Sequence, residues 1–432
     1  MSPPITSSGQ FVESTDSLHS ALKPIILLAQ CFAVLPISGA NSLDASYLKF
    51  SWKSPKVLYC GISFIGAAVL TVCSVLRLAV TGVTSTKTTS LVFFITTCIT
   101  RVLFLRLARQ WPCLELSWER MERELSSKYR RLSRVSLALK FKIMTVVIMV
   151  LALLEHTLSI LSGYTSALEC ATLRGDTDIV STYFQSQFPQ VFARTPYTHW
   201  KGALVQCVNI LSTFSWNFMD LFLILLSVAL TEQFRQLNNR LSSIRGKHCF
   251  NVKAMPELWW AEARNDYNRL ATLTRRVDSY VSDIVLLSFA NNLYFICIQL
   301  LNSFKYIPMR DMVQTVYFCF SFGFLLARTA AVSLYAASVH DESLLPAPIL
   351  YSVSGSSYSM EVVRFLTQVT TDNIGLTGMK FFSITRSLVL TVAGTIVTYE
   401  LVLVQFNAVQ QVDSSSINIT NACMSFQLDV LK

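Results

Sequence analysis

Seven long runs of apolar residues constrain the fold of this chain more than any other feature of the sequence. Each run has about the 20 residues that a helix needs to cross the roughly 30 Å apolar core of a bilayer. A backbone inside lipid must satisfy its own hydrogen bonds, so such runs are expected to be helical. The sequence therefore predicts an all-α membrane protein with seven transmembrane helices, at residues 57–80, 89–108, 142–164, 203–230, 284–303, 314–336 and 381–407.

The charged residues lie between these runs. Only 14% of the 432 residues are charged, whereas soluble domains carry about 25%. The formal net charge is +10, but the basic residues do not form the stripe on a folded domain that a nucleic-acid surface requires. We therefore expect the lipid bilayer as a partner, and no nucleic acid.

The distribution of Lys and Arg predicts the orientation of the chain. With the N-terminus in the cytoplasm, the connections on that side hold 23 Lys and Arg, and the opposite connections hold six. The positive-inside rule therefore predicts a cytoplasmic N-terminus and an extracellular C-terminus. Asn418 begins an Asn-Ile-Thr sequon in the predicted extracellular tail and is a candidate glycosylation site.

The connections on the predicted cytoplasmic side have structure of their own. A shorter apolar run at 24–37 is broken by Pro24 and Pro36, which favours an interfacial helix over an eighth span. From Glu257 to Ile284, apolar residues recur at spacings of three and four, typical of one helix face. The predicted division is a cytoplasmic N-terminus with an interfacial helix (1–56), transmembrane helices 1–4 (57–230), a cytoplasmic helical anchor (231–283), transmembrane helices 5–6 (284–336), a cytoplasmic connection (337–380), helix 7 (381–407) and an extracellular tail (408–432).

The seventh run carries a polar stripe. Its members recur at steps of four and three and therefore share one helix face: Thr391, Thr395, Thr398, Val402 and Gln405. Polar groups do not face lipid without cost. Two interpretations follow, a helix that lines a water-filled pore or a helix–helix contact through Thr and Gly394.

Ionisable and amide residues occur inside three other runs, where such groups are candidates for function. In the predicted orientation they overlap in depth, in the outer to middle membrane. Carboxylates and amides can pair with hydroxyl groups of a ligand, and an indole ring can cover an apolar face of it. The predicted ligand-binding residues are Glu155 and His156 in the third run, Trp216 and Asp220 in the fourth, and Asn292 and Gln299 in the fifth. The alternative is that these groups satisfy one another, or Arg328 in the sixth run.

Other chemistry finds little support. No Ser/His/Asp or paired-carboxylate arrangement is tied together by a motif, so we expect neither an enzyme nor a cofactor or metal site. Cys170 and Cys423 both lie on the predicted extracellular side, and the sequence leaves open whether they form a disulfide. Basic residues near span ends are expected to snorkel towards the membrane surface; these are Arg77, Arg101 and Arg106.

Several stretches resemble the sugar-receptor branch of the insect gustatory receptor family. The last run contains TYELVLVQF from Thr398 to Phe406, similar to the family signature in its final span. Related patterns occur at Arg264–Leu270, at Phe289–Leu300, around Glu361 and from Thr377 to Arg386.

This resemblance implies a sugar-gated, non-selective cation channel with seven spans and a cytoplasmic N-terminus. It implies a homo-tetramer, or a hetero-tetramer with related receptors, in the plasma membrane of gustatory receptor neurons. Helix 7 would line a central pore for sodium, potassium and calcium, with Gln405 and Phe406 at its narrow outer gate. A sugar transporter would need inverted or parallel repeats, which we do not find, and a G-protein-coupled receptor would need the opposite orientation.

Overall fold

Long helices make up most of this chain in the computed structural model, which describes residues 17–410 apart from 43, 129–134, 176, 245–254, 304–311 and 356–357. Six helices in the described part are long and apolar enough to cross a membrane. They are α2 (Pro55–Thr81), α3 (Ser85–Lys128), α4 (Leu137–Arg174), α7 (His199–Ser243), α8 (Glu257–Ser303) and α9 (Met312–Leu344). The predicted multi-pass, all-α architecture is therefore confirmed.

Shorter elements connect these helices. They are α1 (Leu18–Cys31), a 3-10 turn (Ala45–Tyr47), α5 (Ile179–Gln187), α6 (Pro189–Phe192), α10 (Pro346–Tyr351), α11 (Met360–Thr371), the strands β1 (Thr377–Gly378) and β2 (Phe382–Ser383), and α12 (Arg386–Gln410). β1 and β2 pair antiparallel. α12 has 25 residues, but it is not among the six spanning helices because most of its side chains beyond Thr398 lie outside the described residues. The count of seven spans thus stays a prediction.

Local sequence signals explain where α2 and α4 begin and end. Ser54 caps α2 by accepting a hydrogen bond from the Lys56 amide, with proline at the first helical position. Ser136 caps α4 by accepting a hydrogen bond from the Leu139 amide. The two helices end at Gly82 (φ 78°) and Gly175 (φ 71°), a backbone conformation that glycine adopts without steric cost.

α3, α7 and α8 are far longer than a bilayer requires. They contain 44, 45 and 47 residues, or about 65–70 Å at 1.5 Å per residue. The parts beyond the apolar spans pack with α1, α10 and α11 into a helical extension. The largest buried aromatic side chains concentrate there, including Trp111, Trp118, Trp260, Tyr267 and Phe365.

Two of the motifs that resemble the gustatory receptors, at Arg264–Leu270 and around Glu361, meet inside this extension. Arg264 on α8 donates a 2.8 Å hydrogen bond to Glu361 on α11. The rings of Tyr267 and Phe365 lie 5.4 Å apart on the same two helices. Hydrogen bonds from Arg264 and then Arg364 lower the pKa of the Glu361 carboxyl. The conspicuous residues of these motifs therefore join α11 to α8.

Two sequence-based expectations are wrong. Pro24 lies exposed within α1 and does not break it, because the opposite face of the helix is buried against α3, α4 and α7. Arg101 does not snorkel. It is 4% exposed, and its Nη1 donates a 2.7 Å hydrogen bond to the Ser63 carbonyl, because the close contact between α3 and α2 encloses the side chain.

Candidate functional site

A cavity of about 410 Å³ lies within the bundle formed by α3, α4, α7, α8 and α9. Its size falls within the range of small-molecule sites in proteins. One wall is aromatic and apolar, and the remainder carries hydroxyl, amide and charged groups. The lining includes Glu155, Ser162, Ser166, Trp216, Phe295, Gln299, Gln314, Tyr317, Ser321, Phe324 and Arg328.

The aromatic wall is built around Trp216 of α7. Its ring centroid lies 4.7 Å from that of Phe295 on α8 and 6.2 Å from that of Phe93 on α3. The Arg328 guanidinium lies 4.4 Å from the indole centroid, within cation–π range. The indole Nε1 of Trp216 donates a 3.3 Å hydrogen bond to the side-chain carbonyl of Asn292. Contacts on several sides therefore hold the indole in place at the cavity.

The polar wall links α4, α8 and α9. The Ser321 hydroxyl donates a 2.6 Å hydrogen bond to the Glu155 carboxylate, and Gln299 donates a 3.4 Å bond to the same hydroxyl. The carbonyl oxygen of the Gln299 side chain is buried and has no hydrogen-bond partner among the described residues. Buried polar atoms are nearly always paired. This oxygen can therefore accept a hydrogen bond from a ligand.

Asp220 lies in a buried network next to the cavity. Its carboxylate is 0% exposed and pairs with the Arg328 guanidinium, with Oδ2 2.8 Å from Nε. Ser288 donates 2.6 Å to Oδ1, and Asn292 donates 3.1 Å to Oδ2. Arg328 also donates to the side-chain carbonyl of Asn217. Since these partners occupy both carboxylate oxygens, Asp220 and Asn292 support the cavity through Arg328 and Trp216 and are not part of its lining.

His156 is separated from the other predicted site residues. It follows Glu155 in the sequence, but consecutive residues point about 100° apart around a helix. The imidazole ring lies 6.1 Å from that of Phe214. It is buried, its Nε2 has no hydrogen-bond partner within the described part of the chain, and it does not line the cavity. Three of the six predicted residues thus line the cavity together: Glu155, Trp216 and Gln299.

The sequence interpretation missed one face of α9. Gln314, Tyr317, Ser321, Phe324 and Arg328 line the cavity at steps of three, four, three and four. Gln314 donates a 2.9 Å hydrogen bond to Ser166 on α4. This periodicity was available in the sequence, and comparing it with the polar faces of the neighbouring spans would have found these residues.

The polar stripe of α12 is exposed in the single chain. The hydroxyls of Thr391, Thr395 and Thr398 donate to backbone carbonyls one turn earlier on the same helix. Val402 is 40% exposed, and a Cβ added at Gly394 would touch nothing within 4 Å. The stripe therefore does not form a helix–helix contact within the described part of this chain. The side chains of Gln405 and Phe406 lie outside the described residues.

A buried carboxylate joins α8 to the start of α12. Asp278 of α8 accepts hydrogen bonds from the Thr377 amide (2.6 Å) and hydroxyl (3.0 Å) on β1. Lys380 in the connection to β2 donates a 2.8 Å bond to the same carboxylate. Because β2 leads directly into α12, this contact fixes the beginning of α12 relative to the helix that carries Phe295 and Gln299.

Two predicted features at the C-terminal tail remain outside this description. Cys170 is disulfide-bonded, whereas Cys423, its candidate partner from the sequence, lies outside the described residues. Asn418 also lies outside them. Glycosylation at Asn418 and the pairing with Cys423 stay predictions.

Comparison with known proteins identifies relatives over nearly the whole chain. A family model described as trehalose receptor matches residues 6–416. The Drosophila melanogaster protein "Gustatory receptor for sugar taste 64f" is 36% identical over 395 residues, 91% of this chain and 82% of that protein. "Gustatory receptor 5a for trehalose" from the same organism is 36% identical over 392 residues, 90% of this chain and 85% of that protein.

The fold is similar to that of a solved insect chemoreceptor. The olfactory receptor OR5 from Machilis hrabei, in complex with eugenol, superposes with a TM-score of 0.64 at 14% identity. The match covers 90% of this chain and 98% of the OR5 chain. A second structure of OR5 gives a TM-score of 0.59.

Proposed function

Because the chain belongs to the trehalose-receptor family of insect sugar gustatory receptors, we propose that it is a sugar-gated, non-selective cation channel that acts in sweet taste. Members of this family are chemoreceptors and not enzymes. The relatives' names, which specify sugar taste and trehalose, support a sugar ligand. They favour this function over a sugar transporter or a G-protein-coupled sugar receptor.

The cavity between Trp216 and Glu155 is the observation that carries the proposal. A sugar ring has an apolar C–H face and a rim of hydroxyls. The indole of Trp216, backed by Phe295, matches the apolar face. The Glu155 carboxylate and the unpaired Gln299 oxygen match hydroxyl donors. An aromatic face opposite polar acceptors is the arrangement that a neutral polyol requires.

The other predicted binding residues take indirect roles in this proposal. Asp220 and Asn292 hold Arg328 and Trp216 in position at the cavity. His156 packs beside Phe214 on the neighbouring α7 and supports the wall that carries Glu155. These three are positioning residues, while Glu155, Trp216 and Gln299 are proposed to contact the sugar.

We further propose that α12 lines a pore formed by four subunits, either identical or related. Its threonine face is exposed in the single chain, and four copies around an axis would place hydroxyls along a path for sodium, potassium and calcium. Phe406 would close the outer end by excluding water, and Gln405 would solvate a passing ion. Sugar binding would reach α12 through α8, by way of Asp278 and the β1–β2 hairpin.

This assembly is proposed to lie in the plasma membrane of gustatory receptor neurons, with seven spans and the N-terminus in the cytoplasm. The excess of Lys and Arg in the connections on one side supports that orientation. An epitope tag placed after Lys432 should be stained on intact cells. Staining that needs permeabilisation would contradict the orientation, and an N-terminal tag provides the matched control.

The proposed function is tested by expressing this chain, alone or with a related receptor, and recording current during application of mono- and disaccharides. We expect at least one sugar to evoke a cation current that reverses near zero voltage in mixed sodium and potassium solutions. Surface-expressed receptor that passes no current with any sugar in either combination would refute the channel function.

A further inference from the structure

A second cavity opens between α4, α7 and α9, nearer the helical extension. Its volume is about 750 Å³. It is separate from the cavity at Trp216, and no residue lines both. Ala330 and Leu334 are exposed, so this groove faces outward from the described bundle. Its apolar lining includes Ile143, Met144, Ala327, Ala330, Ala331 and Leu334.

One end of this groove is lined by two basic residues, Lys140 and Arg235. Their partners Glu232 and Glu342 are not part of the lining and are 13% and 15% exposed. Lys140 lies 2.9 Å from Glu232, and Arg235 lies 2.7 Å from Glu342 and 4.0 Å from Glu232. The four side chains alternate in sign and sum to zero net charge. Lys140 is in the first turn of α4, which begins at Leu137. The charges therefore lie at the membrane boundary, and the alanine-lined part extends towards the membrane interior.

We propose that this groove binds a phospholipid from the leaflet on the side of the helical extension. One acyl chain lies along the alanines of α9, and a zwitterionic head group bearing an ammonium lies on the alternating charges. Small side chains at a helix surface usually admit another helix. Here they leave a depression that no described helix fills, with a charged end at head-group depth.

The charge pattern selects among head groups. The phosphate lies beside Lys140 and Arg235, and the ammonium lies beside Glu232 and Glu342. A purely anionic head group would be repelled by the carboxylates of Glu232 and Glu342, which already neutralise the two basic residues. A head group without charge leaves the four side chains as they are and adds no attraction. An apolar helix from a second receptor copy would fill the groove but offer no counterpart to its charged end.

Bound lipid would be in direct contact with the helix that lines the sugar cavity. Ala327 in the groove and Arg328 in the cavity are consecutive residues of α9. A lipid bound between α4 and α9 therefore affects the separation of these two helices, which carry Glu155 and Ser321. The lipid site does not depend on the proposed sugar ligand, since its residues and its test are separate.

The test uses the full-length receptor in phosphatidylglycerol nanodiscs with a trace of phosphatidylethanolamine that carries a photoactivatable acyl chain. After irradiation, mass spectrometry locates the labelled residues. We expect labelling to concentrate at 140–144 and 327–338. Ala330→Phe, which fills the groove, should reduce it at least about fivefold. The control, Leu326→Phe on the same helix but outside the groove, should leave groove labelling unchanged.

Competition tests the head group. Unlabelled phosphatidylethanolamine or phosphatidylcholine should displace the probe at a concentration at least about tenfold below that needed for diacylglycerol, and the excess phosphatidylglycerol of the bilayer should not prevent labelling. Equal competition by diacylglycerol and by the zwitterionic lipids, or no groove labelling in the phosphatidylglycerol bilayer, would overturn the head-group assignment. Uniform labelling around all lipid-facing helices in the unsubstituted receptor would overturn the site, whether or not the Ala330→Phe protein folds. Chemical cross-links from groove residues to a second receptor chain would also overturn the lipid site, because another subunit would then fill the groove.

Discussion

α7 and α12 are both apolar helices with polar side chains on them, but the two helices satisfy those groups in opposite ways. On α7, Asp220 and Asn217 pair with side chains 68 and 111 residues away in the sequence. On α12, the hydroxyls of Thr391, Thr395 and Thr398 each donate to a carbonyl of their own helix, and they have no partner on another helix among the described residues. α7 contacts α2, α3, α4, α8 and α9, whereas α12 contacts mainly α9 and α8.

The difference follows from the side chains themselves. A carboxylate or amide buried without water needs partners that its own helix cannot supply. A threonine hydroxyl can donate to the carbonyl one turn earlier and so needs no other helix. The carboxylate of Asp220 and the amide oxygen of Asn217 on α7 are therefore paired within the chain. The stripe of α12 is free to face water or neighbouring subunits.

The largest expected effect follows from removing the cation paired with α7. Arg328→Ala leaves the buried Asp220 carboxylate without its charged partner, which should cost about 3–5 kcal/mol and sharply reduce the amount of folded receptor at the cell surface. The matched control is Arg106→Ala, which removes the exposed pair with Asp283 and should cost at most about 1 kcal/mol. Thermal unfolding of detergent-solubilised receptor measures the stability of both variants. Equal destabilisation by the two substitutions would contradict the proposed difference between a buried and an exposed ion pair.

The next effect concerns the outer end of α12, where the proposed gate lies. Phe406→Ala should produce a cation leak without sugar, because an apolar ring no longer excludes water from the pore. Gln405→Ala should lower conductance or change ion selectivity while sugar affinity stays nearly constant. Whole-cell current at rest checks the first variant, and single-channel recording checks the second. If Phe406→Ala shows no resting current and Gln405→Ala has normal conductance and selectivity, α12 contributes to helix packing and does not line the pore.

Trp216 of α7 tests the cavity itself. Trp216→Ala removes the aromatic face and should raise the half-maximal sugar concentration at least about tenfold, or roughly 1.4 kcal/mol. Trp216→Phe keeps an aromatic ring and should recover much of the response. Trp200→Ala on the same helix alters a tryptophan that is 65% exposed and should change nothing. Dose–response curves normalised to surface expression decide between these outcomes.

The threonine stripe of α12 should affect conduction more than stability. Replacing Thr391, Thr395 and Thr398 together by Val keeps the side-chain shape and removes only the hydroxyls. Since these residues are exposed, we expect each change in stability to stay within about 0.5 kcal/mol, with single-channel conductance reduced severalfold. The triple Thr→Ser variant retains the hydroxyls and should conduct normally. Destabilisation by the Val variant with unchanged conductance would instead assign the stripe to packing.

The smallest effect extends the comparison to α1, whose polar contacts are also made within the chain. His19 lies 2.5 Å from Glu115 and 3.0 Å from the Ser42 carbonyl. Burial lowers the pKa of His19, but the hydrogen bond and charge of Glu115 and the Ser42 carbonyl outweigh it, so the pKa is raised. The protonated ring therefore stabilises the fold fully below about pH 6.5, the unfolded value, and less as pH rises through the folded value.

His19→Gln tests this contribution. The melting temperature of the unsubstituted receptor should fall as pH increases from about 6.5, and the variant should lose part of that slope. Parallel pH profiles would show that the His19 proton does not contribute. Asp283→Asn, at an exposed pair in another part of the chain, serves as the control because it leaves His19 unchanged.

Part of the site was predictable from the sequence. Glu155, Trp216 and Gln299 could be grouped as candidates because they lie at similar depths in the predicted spans. The rise per residue and the helical period give the membrane depth and the helix face of each residue from its position in the span. The same method placed Asp220 on the face of Trp216, but it did not establish that Arg328 occupies that carboxylate. It could not separate His156 from Glu155 by function, since the neighbours of each side chain come from other helices.

The sequence by itself determined the six long apolar helices, the apolar face of the helical extension and the family. These depend on composition, period and local motif, which a chain carries regardless of its packing. Tertiary structure alone decided that Asp220 and Asn217 of α7 pair with side chains of α8 and α9, and that a cavity remains between these helices. It also decided that the threonine stripe of α12 makes no hydrogen bond to another helix within the described part of the chain. Those outcomes depend on which side chains meet across helices far apart in the chain, and hydropathy does not encode that information.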